Sequence, residues 1–278
     1  MNDYVRTADE CSPLLRAKDH GAPSVFQPEH LLREARRQLN LPEQDVPAFC
    51  VLDPDGDLFR IARRDGRRSV GWACYHTELW EVALPDGSIV GVLGNAVGAP
   101  FAVLVAEQLF ASGCRCLLSI TSAGRIADIG TPPFLVLIDR ALRDEGTSLH
   151  YLPPETGDFV AAPDADLLAR IEAAAREAFP AGCGTEVHRG ASWTTDAPYR
   201  ETAAAIADAR ARGVLTVEME AAALYAFATA RKASVVCVAH VTNTMGQQGG
   251  DDFEKGEAAG TVTAWRLIAA AARVAAAG

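Results

Sequence analysis

The sequence predicts an α/β fold: one domain with a mixed, largely parallel central sheet flanked by helices. Three observations carry this expectation. From Gly94 onward, short apolar runs alternate with longer amphipathic or alanine-rich ones, the order expected of strands joined by crossover helices. A chain of 278 residues can bury one large core. No internal repeat and no linker-like stretch divides it.

Taken in order, the first 25 or so residues read as a poorly ordered tail, and 28–40 as an amphipathic helix with Leu31, Leu32, Ala35 and Leu39 on one face. Residues 1–45 are therefore expected to be a tail and helix, and 46–278 the folded domain. Residues 48–52 form a short apolar strand that ends in Asp53-Pro54-Asp55-Gly56-Asp57, a turn by composition. Residues 72–84 and 89–93 flank Pro85-Asp86-Gly87-Ser88 and read as a hairpin. A helix over 100–112 stops at Gly113, and the strand 116–120 then runs into a Ser/Gly turn. Further strands are expected at 134–138, 185–188, 214–217 and 234–241, with helices at 164–179, 199–212, 218–231 and 253–276.

Composition narrows the function. With 49% hydrophobic and 22% charged residues, the chain reads as a folded globular protein. The richest apolar stretch, 264–277, is broken by Arg266 and Arg273, so no membrane span is expected. The amino terminus lacks an apolar secretion core, which makes the cytoplasm the expected compartment. A net charge of −10 disfavours nucleic acid as a partner. Seven scattered cysteines suit reduced thiols, and Cys114 with Cys116 makes only a C-x-C, so no metal site is expected. The one basic cluster, Arg60, Arg63, Arg64, Arg67 and Arg68, is either a solvated loop or a site for a small anion.

In an open α/β sheet, ligands collect beyond the carboxyl ends of strands. Three strand exits are unusually polar. In Ser119-Ile120-Thr121-Ser122-Ala123-Gly124-Arg125, small hydroxyl residues and a glycine let the backbone approach an oxyanion, although an ordinary Ser/Gly turn has the same composition. In Val217-Glu218-Met219-Glu220-Ala221, two carboxylates flank a methionine where a strand meets a helix. Were all three helical, the glutamates would point about 200° apart, so at most one enters a given pocket, and acidic residues are in any case favoured at helix starts. A carboxylate can accept hydrogen bonds from two vicinal sugar hydroxyls. The third exit, 239–246, ends in hydroxyls and Asn243, whose amide can orient a base edge but supplies no proton at neutral pH.

Together these segments resemble the nucleoside phosphorylase family, which includes bacterial purine nucleoside phosphorylase and uridine phosphorylase, over residues 48 to the carboxyl end. VEMEAA, 217–222, is similar to the family's ribose motif, and the resemblance assigns Met219 and Glu220 to ribose. GNAVGAP, 94–100, resembles the family's G-x-G-M-G-x-P turn, with Val97 in the methionine's place. The TSAG run resembles its phosphate loop, which implies phosphate contacts from Thr121, Ser122, Gly124 and Arg125. GDLFR resembles G-D-P-x-R and adds Gly56 and Arg60 to the phosphate set. Residues 191–202 fall where the family has a D-x-F-Y segment over the base; Asp196 and Tyr199 match it, Pro198 replaces the stacking aromatic, and Trp193, Tyr199, Arg200 and Glu201 become the base-binding candidates.

Three departures accompany the likeness. Ser119 stands where the family carries a phosphate-binding arginine, which Arg125, Arg60 or an arginine of the 63–68 cluster, from this subunit or a neighbour, would have to replace. Thr202 and Ala204 stand near the positions of the uracil-reading Gln and Arg. Asn243 replaces the purine-type aspartate, an arrangement closer to the uridine type. The resemblance implies reversible phosphorolysis of a purine or pyrimidine nucleoside, with Glu220 and Asn243 as catalytic residues, inorganic phosphate as co-substrate and no organic cofactor. It also implies a homo-oligomer, a dimer or hexamer, with shared active sites. Two alternatives stand beside it: a nucleosidase that uses water, and a non-catalytic nucleoside-binding protein.

Overall fold

A computed structural model describes residues 12–245 and 253–277. Among the described residues, ten strands alternate with seven α-helices. The amino-terminal helix α1 (Pro28–Leu39) packs on α3 through Leu32 and Ala35, the buried face of its amphipathic pattern. Residues 1–11 and Gly246, which belonged to the expected tail and third strand exit, lie outside the described residues. Ahead of α1, Lys18 Nζ lies 2.8 Å from His150 Nδ1, and His20 Nε2 3.1 Å from the Leu149 carbonyl.

The elements that frame the site follow in chain order: β1 (Phe49–Asp53), α2 (Asp57–Asp65), β2 (Arg67–Arg68), β3 (Leu79–Ala83), β4 (Ile89–Gly94), α3 (Ala99–Ala111), β5 (Cys116–Arg125) and β6 (Phe134–Asp144). After them come β7 (Phe159–Ala161), α4 (Ala165–Ala178), β8 (Val187–Thr195), α5 (Ala203–Ala211), β9 (Val214–Glu218), α6 (Ala221–Arg231), β10 (Ser234–Thr244) and α7 (Thr261–Ala276). The hairpin expected around Asp86-Gly87 is β3–β4, antiparallel with Val82 opposite Val90.

The sheet is less parallel than expected. Five pairings are parallel (β1–β4, β1–β5, β5–β10, β6–β8, β8–β9) and five are antiparallel (β2–β3, β3–β4, β5–β9, β6–β7, β6–β10). The physical reason is the length of β5 and β10. Strand β5 pairs with β1 near its start, with β10 along its whole length, and with β9 only at Gly124 and Arg125. Because β10 also pairs with β6, and β6 with β8 and β8 with β9, these five strands close on themselves. Register shifts at Val241/Asn243, Ile138/Arg140 and Ala191/Ser192 supply the bends such closure needs.

Several boundaries moved for identifiable reasons. The basic run after Gly56 is not a loop: residues 57–65 are helical, with Leu58, Phe59 and Ala62 buried on one face. The helix expected from residue 199 begins at Ala203, behind a 3-10 turn Pro198–Arg200, because Thr202 caps it through the Ala205 N–H at 3.2 Å. The last helix starts at Thr261 rather than 253, since Gly256 and Gly260 take positive φ ahead of it. The apolar core fills both sides of the sheet, α3 and α6 on one and α4 and α7 on the other. Tyr225 ties α6 to the sheet: its hydroxyl donates to the Ile138 carbonyl at 2.6 Å and accepts the Cys237 N–H at 3.0 Å.

Candidate functional site

The segment read as a Ser/Gly turn is strand to its end. Residues 119–125 continue β5, and that continuation assembles the site. Gly124 sits between Val217 of β9 and Asn243 of β10 in register. The strand exits that the sequence places far apart are thereby neighbours. An added Cβ at Gly124 would overlap the thioether sulfur of Met245, so the glycine permits that side chain to lie across the strand.

The two glutamates of the VEMEAA motif have different surroundings. Glu218 ends β9, and its carboxylate accepts four hydrogen bonds: from Thr194 Oγ1 at 2.6 Å, Ser192 Oγ at 3.2 Å, and the N–H groups of Glu220 and Ala221 at 2.7 Å each. Burial raises its pKa and these bonds oppose the rise. Such a carboxylate anchors the start of α6 and has no capacity left for a ligand. The α6 helix begins at Ala221, later than expected, because Glu220 occupies its N-cap position with φ −132°.

Glu220 is 1% exposed. Its Oε1 accepts the Gly98 N–H at 2.7 Å, the Thr121 hydroxyl lies beside the carboxylate, and Oε2 is buried with no hydrogen-bond partner. Gly98 aims its amide there by adopting φ +92° at the start of α3, in the GNAVGAP turn. Burial, then the neighbouring Glu218 charge, pushes the Glu220 pKa up to about 8, and the Asp55 charge adds to the rise. Met219 is half-buried between the two glutamates in sequence.

Beside Ser122 lie residues the sequence reading did not single out. The Asp55 carboxylate accepts the Ser122 N–H at 2.7 Å. Asp53, Asp55 and Asp57 line a cavity of about 20 Å³ with Thr121, Ser122 and His240. Burial pushes the Asp53 pKa up to about 7, even though its carboxylate accepts the Phe59 N–H at 2.9 Å. His240 is shifted down, chiefly by burial and then by Lys255. The acidic spacing 53, 55 and 57 was visible as a turn; its nearness to Ser122 arises from the pairing of β1 with β5.

The expected cations all have protein partners. Arg60 is exposed and pairs with Asp57, which also holds Lys255. Arg125 donates to the Gly130 carbonyl and to Asp128. Arg63 and Arg68 face Glu78, Arg64 pairs with Asp65 and Arg67 with Glu81. The Gly56 N–H donates to the Asp53 carbonyl at 3.1 Å. Ser119, in the place of the family's arginine, is buried and its hydroxyl has no partner.

The base-binding candidates are dispersed in this conformation. Trp193 is buried in the cluster with Leu142 and Ile206, and its indole N–H donates to Asp144 at 3.0 Å. Tyr199 is 99% exposed, and Arg200 is exposed. Glu201 is half-buried, with its pKa pushed up to about 7 by desolvation. Asp196 accepts the Gly146 N–H at 2.9 Å beside an open cleft of about 580 Å³ that also touches Pro100 and Leu104. Asn243 Nδ2 lies 3.4 Å from the Met245 sulfur. Hydrogen bonds and strand register bring Gly98, Thr121, Ser122, Gly124, Glu220 and Asn243 together, with Met219 next to Glu220 in sequence; Arg125 and Trp193 are committed to other partners, Arg60 pairs with Asp57 of the cavity beside Ser122, and Tyr199 and Arg200 are exposed.

Among the described residues, no helix is long and apolar enough to cross a membrane. The chain is 28% identical over 171 residues to a guanosine phosphorylase of Halorubrum lacusprofundi, covering 61% of this chain and 68% of that protein. It is 27% identical over 159 residues to a DeoD-type purine nucleoside phosphorylase of Shewanella denitrificans, covering 56% of this chain and 64% of that protein. The profile of the phosphorylase superfamily matches residues 65–276, which takes in Ser122, Glu220 and Asn243 but begins after Gly56 and Arg60. On this match, and with the convergence of the three strand exits around Glu220, the chain belongs to the phosphorylase superfamily.

Proposed function

We propose that this protein cleaves the N-glycosidic bond of a nucleoside by reversible phosphorolysis, giving a free base and a ribose or deoxyribose 1-phosphate. The observation that carries the reading is the buried Glu220 carboxylate, held on one oxygen by Gly98 and without a hydrogen-bond partner on the other. A buried acceptor with no partner is costly, and a sugar hydroxyl would satisfy it. The names of the two relatives favour a purine base.

In this reading Glu220 accepts from the 2′- and 3′-hydroxyls while Met219 walls the ring. Phosphate, bound at Thr121, Ser122 and Gly124, attacks C1′ from the face opposite the base. As the new C1′–O bond forms, the C1′–N bond breaks and its electron pair stays on the base. The transition state has ribosyl-cation character, stabilised by the phosphate anion and by the fixed placement of the sugar. Asn243 holds a base edge by hydrogen bonds. The chain works without an organic cofactor, as a homo-oligomer in the cytoplasm; in a dimer or hexamer, arginines of a neighbouring subunit are available for the phosphate.

Hydrolysis is a second reading, favoured by one contact: Asp55 already occupies the Ser122 N–H that a phosphate would take. A panel of purine and pyrimidine nucleosides assayed with and without phosphate tests both. Phosphorolysis yields the sugar 1-phosphate and stops when phosphate is removed; free ribose formed at an undiminished rate without phosphate establishes hydrolysis instead. Binding of nucleoside without turnover in either condition would overturn both.

A further inference from the structure

The side of the site opposite Glu220 is built from carboxylates. Asp55 Oδ2 accepts the Ser122 N–H at 2.7 Å, the geometry of a strong charge-assisted hydrogen bond. The two residues are 67 apart in sequence, and the contact forms where the turn after β1 meets the adjoining strand β5. The adjoining cavity is small, about 20 Å³, and has room for a water. Of the cations on this face, Arg60 and Lys255 are bound to Asp57, and Arg125 is turned to Gly130 and Asp128. Asp53 and Asp57 share the cavity wall with Asp55, and His240 is the remaining titratable group there.

A phosphate at Ser122 therefore meets an N–H that is already taken, beside a like charge. We propose that Asp55 and inorganic phosphate compete for the Ser122 N–H, so that Asp55 is the residue that sets how strongly this chain takes phosphate. The inference rests on the reading of Ser122 as part of the nucleophile site, but its test does not depend on turnover. Asp55 makes its hydrogen bond to Ser122 and reaches Glu220 only as a neighbouring charge.

The test is equilibrium dialysis of radiolabelled inorganic phosphate against the unaltered protein, Asp55→Asn, Asp55→Ser and a charge control, Asp86→Asn, in the distant β3–β4 turn. Both Asp55 variants are expected to bind phosphate about tenfold more tightly or better, since each loses the anionic acceptor. Asp86→Asn is expected to bind as the unaltered protein does. Unchanged or weaker binding in a folded Asp55 variant overturns the inference, as does equal tightening in Asp86→Asn, which would reduce the effect to net charge. The Asn variant keeps the side chain's size, and thermal melting checks the fold of each. On the unaltered protein, the Ser122 amide nitrogen resonance is expected to move on saturation with phosphate as its acceptor changes; a resonance that stays in place overturns the inference without any variant. Tighter phosphate binding with no nucleoside cleavage would sink the proposed reaction and leave the competition standing.

Discussion

Glu218 and Glu220 stand two residues apart with opposite hydrogen-bond balances. Glu218 accepts four bonds within the protein, whereas Glu220 accepts the Gly98 N–H on one oxygen and has no partner on the other. The difference follows from the strand-to-helix junction: Glu218 folds back onto the first amides of α6, and Glu220 at the N-cap faces Gly98 across the site. Replacing each with glutamine separates the two roles. Glu218→Gln puts an NH₂ group in place of one of two accepting oxygens and is expected to cost about 3 kcal/mol in a urea melt. Glu220→Gln is expected to change stability little while lowering kcat/KM for nucleoside by about 100-fold or more. A Glu220→Gln enzyme with full activity would remove Glu220 from the sugar site.

Glu220 also gives a pH signature. Its pKa is pushed up to about 8 in the folded chain, against an ordinary value of 4.5, so between those limits the folded state holds a proton that the unfolded state has released. Stability from this group is greatest below pH 4.5 and falls as pH rises through about 8; Asp53, pushed up to about 7, acts with the same sign. Hydroxyl donation from ribose favours the ionised form, so nucleoside binding is expected to release a proton near neutrality and to tighten with rising pH. Calorimetry in two buffers of different ionisation enthalpy measures this; proton uptake would count against the assignment.

Gly124 predicts a steric switch. A methyl group there overlaps the Met245 sulfur, so Gly124→Ala is expected to displace Met245 and lower kcat/KM by about tenfold or more. Met245→Ala in the same chain makes the room back. Recovery of activity in the double variant supports the steric account, and additive losses refute it.

Trp193 tests the dispersed base candidates. Its ring is buried and its indole N–H is committed to Asp144, so Trp193→Phe is expected to lower stability by about 1–2 kcal/mol and leave the preference among nucleosides unchanged. A changed base preference without loss of stability would return Trp193 to the base site.

Tyr225→Phe probes the scaffold rather than the chemistry. The lost hydroxyl leaves the Ile138 carbonyl and the Cys237 N–H without that partner in the core, an expected cost of about 2 kcal/mol with KM unaltered. A denaturant melt alongside steady-state kinetics decides it.

The amino-acid sequence by itself determined several of the elements and the VEMEAA motif that resembles the family's ribose segment. Helix α1, the β3–β4 hairpin and the strand-to-helix junction at Glu220 are local, because periodicity, an Asp-Gly turn and a strand running into alanines act over a few residues. The family was legible for the same reason, since VEMEAA and TSAG are contiguous. Tertiary structure alone decided that residues 119–125 are strand rather than turn, because β9 and β10 supply ladder partners from residues more than 90 positions away. It likewise buried Trp193, turned Arg60 and Arg125 toward local partners, and set Asp55 on Ser122. Hydrogen-bond partners of this kind depend on the closed path of five strands, and no local pattern in the chain encodes which distant residue fills an amide's remaining valence.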